Sequence, residues 1–439
     1  MRAGSRWPFT SEPEKDGAIH YIPFPFFLAY STALLKREAK AARLIDAIAE
    51  SFNEQEFIGK VISNNPELVV IETSTPSFKN DMDILQDIHR RLPAAKTVLC
   101  GPHASVFPEE ILAEYDFIDY VLVGEYEYTL LDLVNRLENN SDLSSVKGLV
   151  YRQHSKIKIN ASRQAANNLD DLPWPERQDV PVYKYNDGFA GLPVPNVQMW
   201  ASRGCPFKCV FCLWPQTLYK EHKYRKRNPV DVIDEMEFLV KKLYFKAVYF
   251  DDDIFNIDRN YVLAICAQII KRNIDVPWAV MARADLMDEK LLDNLAAAGL
   301  CAIKYGIESA DEKILKFCRK DMDLDKAYHM IEYTKKLGIK IHLTFCLGFP
   351  QETKQTVDKT VNFIQKARPY SSQFSFATPL PGTEYFRYMD KKSLLLSRDW
   401  SDYDGANKCV INTRELSGKD LEEIRLNLIN NFSIPAANN

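Results

Sequence analysis

Cys205-Pro-Phe-Lys-Cys209-Val-Phe-Cys212 places three thiols within eight positions, spaced three and then two residues apart. No other feature limits the fold as tightly, because the surrounding chain must hold the three sulfurs around one inorganic group. A loop this short can wrap them around one face of a cubane [4Fe–4S] cluster, a group that usually takes four protein thiolates. The next cysteine is Cys266, so the loop supplies three ligands and leaves one iron open. An open coordination position is what separates catalytic from structural metal sites. A zinc site would want four closed ligands, and no His or Cys stands at the usual return spacing. The β-rich run Val197-Gln-Met-Trp-Ala201 and the turn Ser202-Arg203-Gly204 set the thiols directly after a strand.

The Cys-x3-Cys-x2-Cys spacing, with Phe211 just before the last cysteine, resembles the signature of the radical S-adenosylmethionine (SAM) superfamily. That resemblance implies that Cys205, Cys209 and Cys212 ligate the cluster. It also implies that the open iron chelates the amino and carboxylate groups of SAM. One electron from the cluster then breaks a carbon–sulfur bond and releases a 5′-deoxyadenosyl radical.

From Asn196 onward strands and helices alternate. Strands are expected at 196–201, 246–251, 277–282, 300–306, 340–346 and 372–377, with helices such as 230–241 and 353–366 between them. Six βα units match a partial, open (β/α)6 barrel, whose chemistry belongs at the carboxyl ends of the strands. Asp252 and Asp253 end the second strand, where they can accept hydrogen bonds from the SAM ammonium; Asp is equally a helix cap there. Arg283 ends the third and can pair with the SAM carboxylate. Glu308, in Gly306-Ile-Glu-Ser309, can bind ribose or amine, while Ser309 can cap the next helix. Thr344 lies near the end of the fifth strand. Gly348-Phe-Pro-Gln-Glu-Thr353 and Pro379-Leu-Pro-Gly-Thr383 complete a series that resembles radical SAM counterparts in order and spacing. Cys266, Cys301, Cys318, Cys346 and Cys409 read as buried packing residues.

Upstream, residues 24 to about 138 also alternate. Helices are expected at Phe26–Lys40, Gln55–Asn64, Asp83–Leu92, Glu109–Tyr115 and Glu127–Asn139, with strands at Ala42–Asp46, Leu68–Glu72, Thr97–Cys100 and Tyr120–Val123. This argues for an open doubly wound sheet, whose ligands bind beyond the carboxyl ends of the strands. Those ends carry Thr73-Ser74-Thr75, Gly101-Pro102-His103 and Gly124-Glu125. The set resembles the cobalamin-binding domain that precedes many radical SAM domains. The resemblance implies a corrin lying on these residues, although a His after Gly-Pro more often bonds locally. The Asp-x-His-x-x-Gly motif that ligates cobalt in methionine-synthase-type domains is absent, so the resemblance implies a lower cobalt face without His. The family's usual apolar first strand has no counterpart in the polar residues 1–18, so the pattern starts about fifteen residues late and the sheet is expected to lack that strand.

The expected organisation is a cobalamin-binding-like sheet at 1–140, a hairpin and linker at 141–195, the barrel at 196–385 and a small cap at 386–439. The hairpin pairs Val146–Arg152 with Lys156–Asn160, and Leu169-Asp-Asp-Leu-Pro-Trp-Pro175 resembles the bridge of cobalamin-dependent radical enzymes. A net charge of −4 with no basic tail gives no sign of a nucleic-acid partner. The start lacks the apolar core of a signal peptide, and no apolar run is long enough to span a bilayer. A cluster-bearing loop needs reduced thiols, which points to the cytoplasm. The resemblance implies a flavodoxin- or ferredoxin-type electron donor and a small-molecule or lipid-like substrate.

The expected function is hydrogen abstraction from an unactivated carbon, followed by C-methylation or radical rearrangement of an apolar substrate. Ala3-Gly-Ser-Arg6, Thr73-Ser-Thr-Pro-Ser77 and Cys212-Leu-Trp-Pro-Gln-Thr217 look like the hopanoid-biosynthesis-associated radical SAM group. A radical SAM enzyme without functional cobalamin is the alternative. A tRNA methylthiotransferase would need further cluster cysteines in the N-terminal domain, where only Cys100 lies.

Overall fold

The structure is a computed structural model that describes residues 22–154 and 156–433. The expectations resting on the polar start, including Ala3–Arg6, lie outside the described residues. The first part runs α1 (Phe26–Arg37), α2 (Ala47–Glu50), α3 (Glu54–Asn64), β1 (Leu68–Glu72), α4 (Phe78–Arg91), β2 (Lys96–Cys100), α5 (Pro102–Val106), α6 (Pro108–Glu114), β3 (Tyr120–Leu122) and α7 (Glu127–Glu138). The hairpin β4 (Leu149–Gln153) and β5 (Lys156–Ile159) extends the sheet. Strands β1 to β3 are parallel, β4 and β5 antiparallel, in the spatial order β1-β2-β3-β4-β5.

Helices cover both faces, which is why these strands read as apolar runs. Val69, Leu99 and Val121 pack with Ile58 of α3 and Leu85 of α4. Val98, Cys100 and Leu122 pack with α1 and α7 through Leu34, Leu130 and Leu133. Among the described residues β1 pairs only with β2 and forms the sheet edge.

The strand expected at Ala42–Asp46 does not form. Its backbone is taken by other partners: Leu44 donates its N–H to Asp179 of the linker at 2.9 Å, and Asp46 becomes the N-cap of α2. Asn53 and Glu56 close a capping box on α3, which fixes that helix's start as the sequence implies.

Beyond the linker come β6 (Asn196–Met199), β7 (Ser202–Arg203), α8 (Leu213–Thr217), β8 (Arg225–Lys226), α9 (Pro229–Lys241), β9 (Ala247–Phe250), α10 (Arg259–Lys271), β10 (Trp278–Ala282) and α11 (Glu289–Ala297). Then follow β11 (Leu300–Glu308), α12 (Glu312–Phe317), α13 (Leu324–Lys336), β12 (Lys340–Leu347), α14 (Lys354–Ala367), β13 (Ser371–Phe376), α15 (Glu384–Lys391) and α16 (Gly418–Phe432). All six expected barrel strands are present. They are parallel and sequential, β6-β9-β10-β11-β12-β13, so the sheet curls into an open half-barrel. Linker residues Phe189, Ala190 and Leu192 pack beneath it against Ala247, Tyr249 and Ala279.

Sheet and barrel meet through buried charge. Arg203 of β7 bonds Glu127 at 2.6 Å and lies 3.5 Å from Glu125. Arg225 of β8 grips Glu125 with two bonds of 2.7 and 2.8 Å. The Arg203 guanidinium also sits over the rings of Phe27, Tyr30 and Trp200, which shield it from water. Burial alone would raise the Glu125 carboxyl; Arg225 and Arg203 more than offset that and hold it below its usual value. Removing one partner of such a pair leaves an uncompensated buried charge. Arg203→Met is therefore expected to cost about 3–5 kcal/mol and to lower the melting temperature of the full chain; an unchanged melting temperature would contradict this reading of the interface.

Candidate active site at the strand ends

The thiol loop starts at Gly204, which has φ +88°; a Cβ there would lie 2.1 Å from the carbonyl of Lys223. Only glycine fits that close approach. Gly204 donates its N–H to Asp253 at 2.8 Å, so the end of β9 fixes where the loop leaves β7. Cys205 is buried, while Cys209 and Cys212 are half-buried. Burial pushes the Cys205 thiol up to about 12 and raises Cys209, with Lys320 partly countering the second shift. All three thiols line one cavity with Phe207 and Phe211. Among the described residues no three metal-ligating side chains converge on a point that would hold a single ion.

The carboxyl end of the barrel contributes to the lining. Arg283, Gly306, Glu308, Thr344 and Ser375 line the same cavity, as does Asp253. Strand β11 shifts register against β12 between Gly306 and Glu308, and Glu308 takes φ +69°, an uncommon conformation outside glycine. Its Oε1 accepts from Lys320 at 2.6 Å, while its Oε2 is buried, with the Cys346 thiol as its neighbour. A Cβ on Gly306 would lie 2.9 Å from Glu308 Oε1 and 3.1 Å from Lys320 Nζ, so this glycine makes room for the pair. A buried acceptor beside the thiols can receive a donor from a ligand.

Phe211, Asp253, Arg283, Glu308 and Thr344 thus reach the cavity as expected, and two residues do not. Asp252 is buried away from it and takes hydrogen bonds from Ser202 Oγ and the Ala201 N–H. Adjacent residues of an extended turn point to opposite sides, so only one of the two aspartates can face the cavity. Ser309 is also buried and accepts from the Asp311 N–H at 3.2 Å, but Asp311, not Ser309, is the N-cap of α12. Arg283 is already engaged: its fork holds Asp285 at 2.7 and 3.0 Å, and Nη2 also donates to the Lys320 carbonyl at 2.9 Å.

Sequence reasoning missed Lys320, Lys304 and Cys346, all of which line the cavity. Lys320 follows Phe317-Cys-Arg, a run that reads as a surface turn, and nothing in the spacing marks it. Cys346 carried a signal: it stands two residues from Thr344 on β12, and strand alternation puts both on one face. Cys301 is half-buried rather than buried.

The eight strand-end residues of the first sheet come together, but beneath the surface. Thr73 donates to Asp81 at 2.7 Å, Ser74 bonds Ser77 at 3.0 Å, and Thr75 shares a 3.1 Å bond with His103. Gly101 has φ +97°, and a Cβ there would lie 2.5 Å from the Thr73 carbonyl; Pro102 opens α5. Gly124 donates to Ser105 Oγ at 3.0 Å, and Glu125 is held by the two arginines described above. His103 is buried among Phe78, Phe107 and Trp400, with centroids 4.3, 5.0 and 5.8 Å away, and burial pushes it down to about 3. None of the eight lines the thiol cavity. The hydroxyls of Thr73, Ser74 and Thr75 are bonded to Asp81, Ser77 and His103, and Trp400 packs on His103 at this end of the sheet.

Residues 201–364 match the Radical SAM superfamily, and residues 18–134 match the B12 binding domain. An uncharacterized methyltransferase of Pyrococcus horikoshii is 30% identical over 381 residues, covering 86% of this chain and 81% of that protein. The anaerobic magnesium-protoporphyrin IX monomethyl ester cyclase of Rubrivivax gelatinosus is 27% identical over 386 residues, covering 84% and 66%. Among solved structures, the radical SAM methyltransferase TsrM of Kitasatospora setae, with cobalamin and a [4Fe–4S] cluster bound, superposes with a TM-score of 0.73 at 18% identity, covering 96% of this chain and 86% of that one. The cobalamin-dependent SAM radical enzyme OxsB, with aqua-cobalamin and SAM bound, gives 0.75 at 17% identity, covering 93% and 64%. At these identities the structural likeness is one of fold. The thiol loop at the mouth of a half-barrel, the N-terminal sheet and the Pyrococcus relative agree: the chain belongs to the radical SAM enzymes that carry an N-terminal B12-binding domain.

Proposed function

We propose that this enzyme abstracts hydrogen from an unactivated carbon of an apolar substrate and leads it to C-methylation. The observation that carries the reading is one cavity lined by all three thiols and by the Glu308–Lys320 pair. Cys205, Cys209 and Cys212 would ligate the cluster. Glu308 Oε2 would accept from the ammonium or ribose of SAM, with Lys320 fixing the carboxylate's direction and Thr344 offering a further hydroxyl. When bound, the cluster and SAM together supply a 5′-deoxyadenosyl radical. Phe207, Phe211, Met281 and Phe376 line the same cavity and would exclude water from that radical while seating an apolar body.

The methyltransferase name of the Pyrococcus relative supports methylation. The cyclase name of the Rubrivivax relative favours the second reading, radical rearrangement or ring formation. A flavodoxin- or ferredoxin-type donor would supply the electron in a reducing cytoplasm.

Cys209→Ala is expected to abolish 5′-deoxyadenosine formation in anaerobic, iron-reconstituted protein; undiminished formation would reject the assigned ligands. Lys320→Met should retain iron yet form 5′-deoxyadenosine about 10–100-fold more slowly, and a rate equal to that of the unaltered chain would remove Lys320 from the site. Trp400→Ala uncovers the strand ends and is expected to increase the hydroxocobalamin retained in equilibrium dialysis; equal retention would show that Trp400 does not govern access.

A further inference from the structure

Gln216 lies in α8, four residues beyond Cys212, so its side chain folds back over the thiol loop. Its Nε2 lies 2.8 Å from the carbonyl oxygen of Cys212, 3.1 Å from that of Val210 and 3.4 Å from that of Cys209. A primary amide has two N–H donors, so three carbonyls share them. Its Oε1 accepts from the Glu384 N–H at 2.8 Å, at the first residue of α15. The Glu384 carboxylate in turn pairs with Arg319 at 2.9 and 3.1 Å. The Arg319 carbonyl faces Cys209 Sγ at 3.8 Å, which closes a ring back onto the loop. Two backbone bonds reinforce it: Val210 donates to the Cys318 carbonyl at 3.1 Å and accepts from the Tyr385 N–H at 3.0 Å.

We propose that Gln216 is the positioning residue of the thiol loop, with Glu384 and Arg319 as its outer brace. It touches neither cluster nor substrate. By holding the carbonyls of Cys209 and Cys212 it fixes the backbone from which two of the three sulfurs hang. It also turns those carbonyl dipoles onto an amide. No other side chain among the described residues is recorded bonding all three carbonyls. The amide serves both sides here, donating to the loop through Nε2 while accepting from α15 through Oε1. A carboxylate in its place would repel the carbonyls, and an alkyl side chain would remove the side-chain donor that the three carbonyls share.

The inference rests on the cluster reading of the thiols, and the experiment separates the two. Full-length protein is reconstituted anaerobically as the unaltered chain, Gln216→Leu, Gln216→Glu and Glu384→Ala. Iron loss to a chelator and the electron paramagnetic resonance spectrum of the reduced cluster are then followed, with melting temperature as the control for folding. Both Gln216 variants are expected to lose iron about tenfold faster and to show an altered spectrum at an unchanged melting temperature. Glu384→Ala, whose site is half-exposed and tolerant, should change in the same direction by less, and it keeps the test decisive if a Gln216 variant does not fold. Iron loss and spectra identical to those of the unaltered chain would overturn the role of Gln216. An unaltered chain that takes up no iron would overturn the cluster reading instead.

Discussion

The segment Cys318–Lys320 joins parts of the site that are far apart in sequence. Through main-chain carbonyls and one ammonium it meets the thiol loop, the end of β10 and the end of β11. The thiol loop has almost no regular structure of its own, so its shape is imposed by such contacts from outside. Burial would lower the Lys320 pKa, but Glu308 more than offsets that and leaves it raised, so a cation is maintained inside the cavity. The strained φ of Glu308 and the vacant Cβ position of Gly306 follow from fitting this pair into a strand end. A catalytic cavity that must hold a radical gains from this arrangement, since polar groups are fixed before any ligand arrives.

The second dependence is between the sheet and the barrel. Arg203 leads directly into the thiol loop, and its charge is balanced by Glu127 at the start of α7. The C-terminal cap adds a further link. Asp404 and Gly405 line the thiol cavity, while Trp400, four residues earlier, packs on His103 of the sheet. A movement at the strand ends of the sheet would therefore reach the cavity through a short strap. The B12-binding domain thus packs on the same C-terminal segment that lines the thiol cavity.

Much of this was legible in the sequence for one reason. Parallel strands covered on both faces carry apolar runs, so strands such as β1, β3, β9 and β10 stand out, and the βα alternation places the other barrel strands with ends correct to within two residues or so. In the structure Asn53 caps α3 and Thr353 caps α14. The failures share a cause too. Ala42–Asp46 has a strand-like composition, but a strand exists only where a neighbour offers pairing. Asp252 and Asp253 are the same residue type, and side-chain direction alone decides between them. Glu125 was assigned to a ligand because it follows a glycine at a strand end, yet two arginines a hundred residues away in sequence claim it. Lys320 and Gln216 act through contacts across more than a hundred residues, which no local pattern records.

The central claim is that three thiols leave one iron for SAM. Electron–nuclear double resonance on the reduced, anaerobic protein tests it most directly, using SAM labelled with 15N at its amine and 17O at its carboxylate. The account predicts hyperfine coupling of both labels to the cluster, through atoms bound to iron. Zinc in place of iron, or a cluster whose spectrum ignores the labelled SAM, would contradict it.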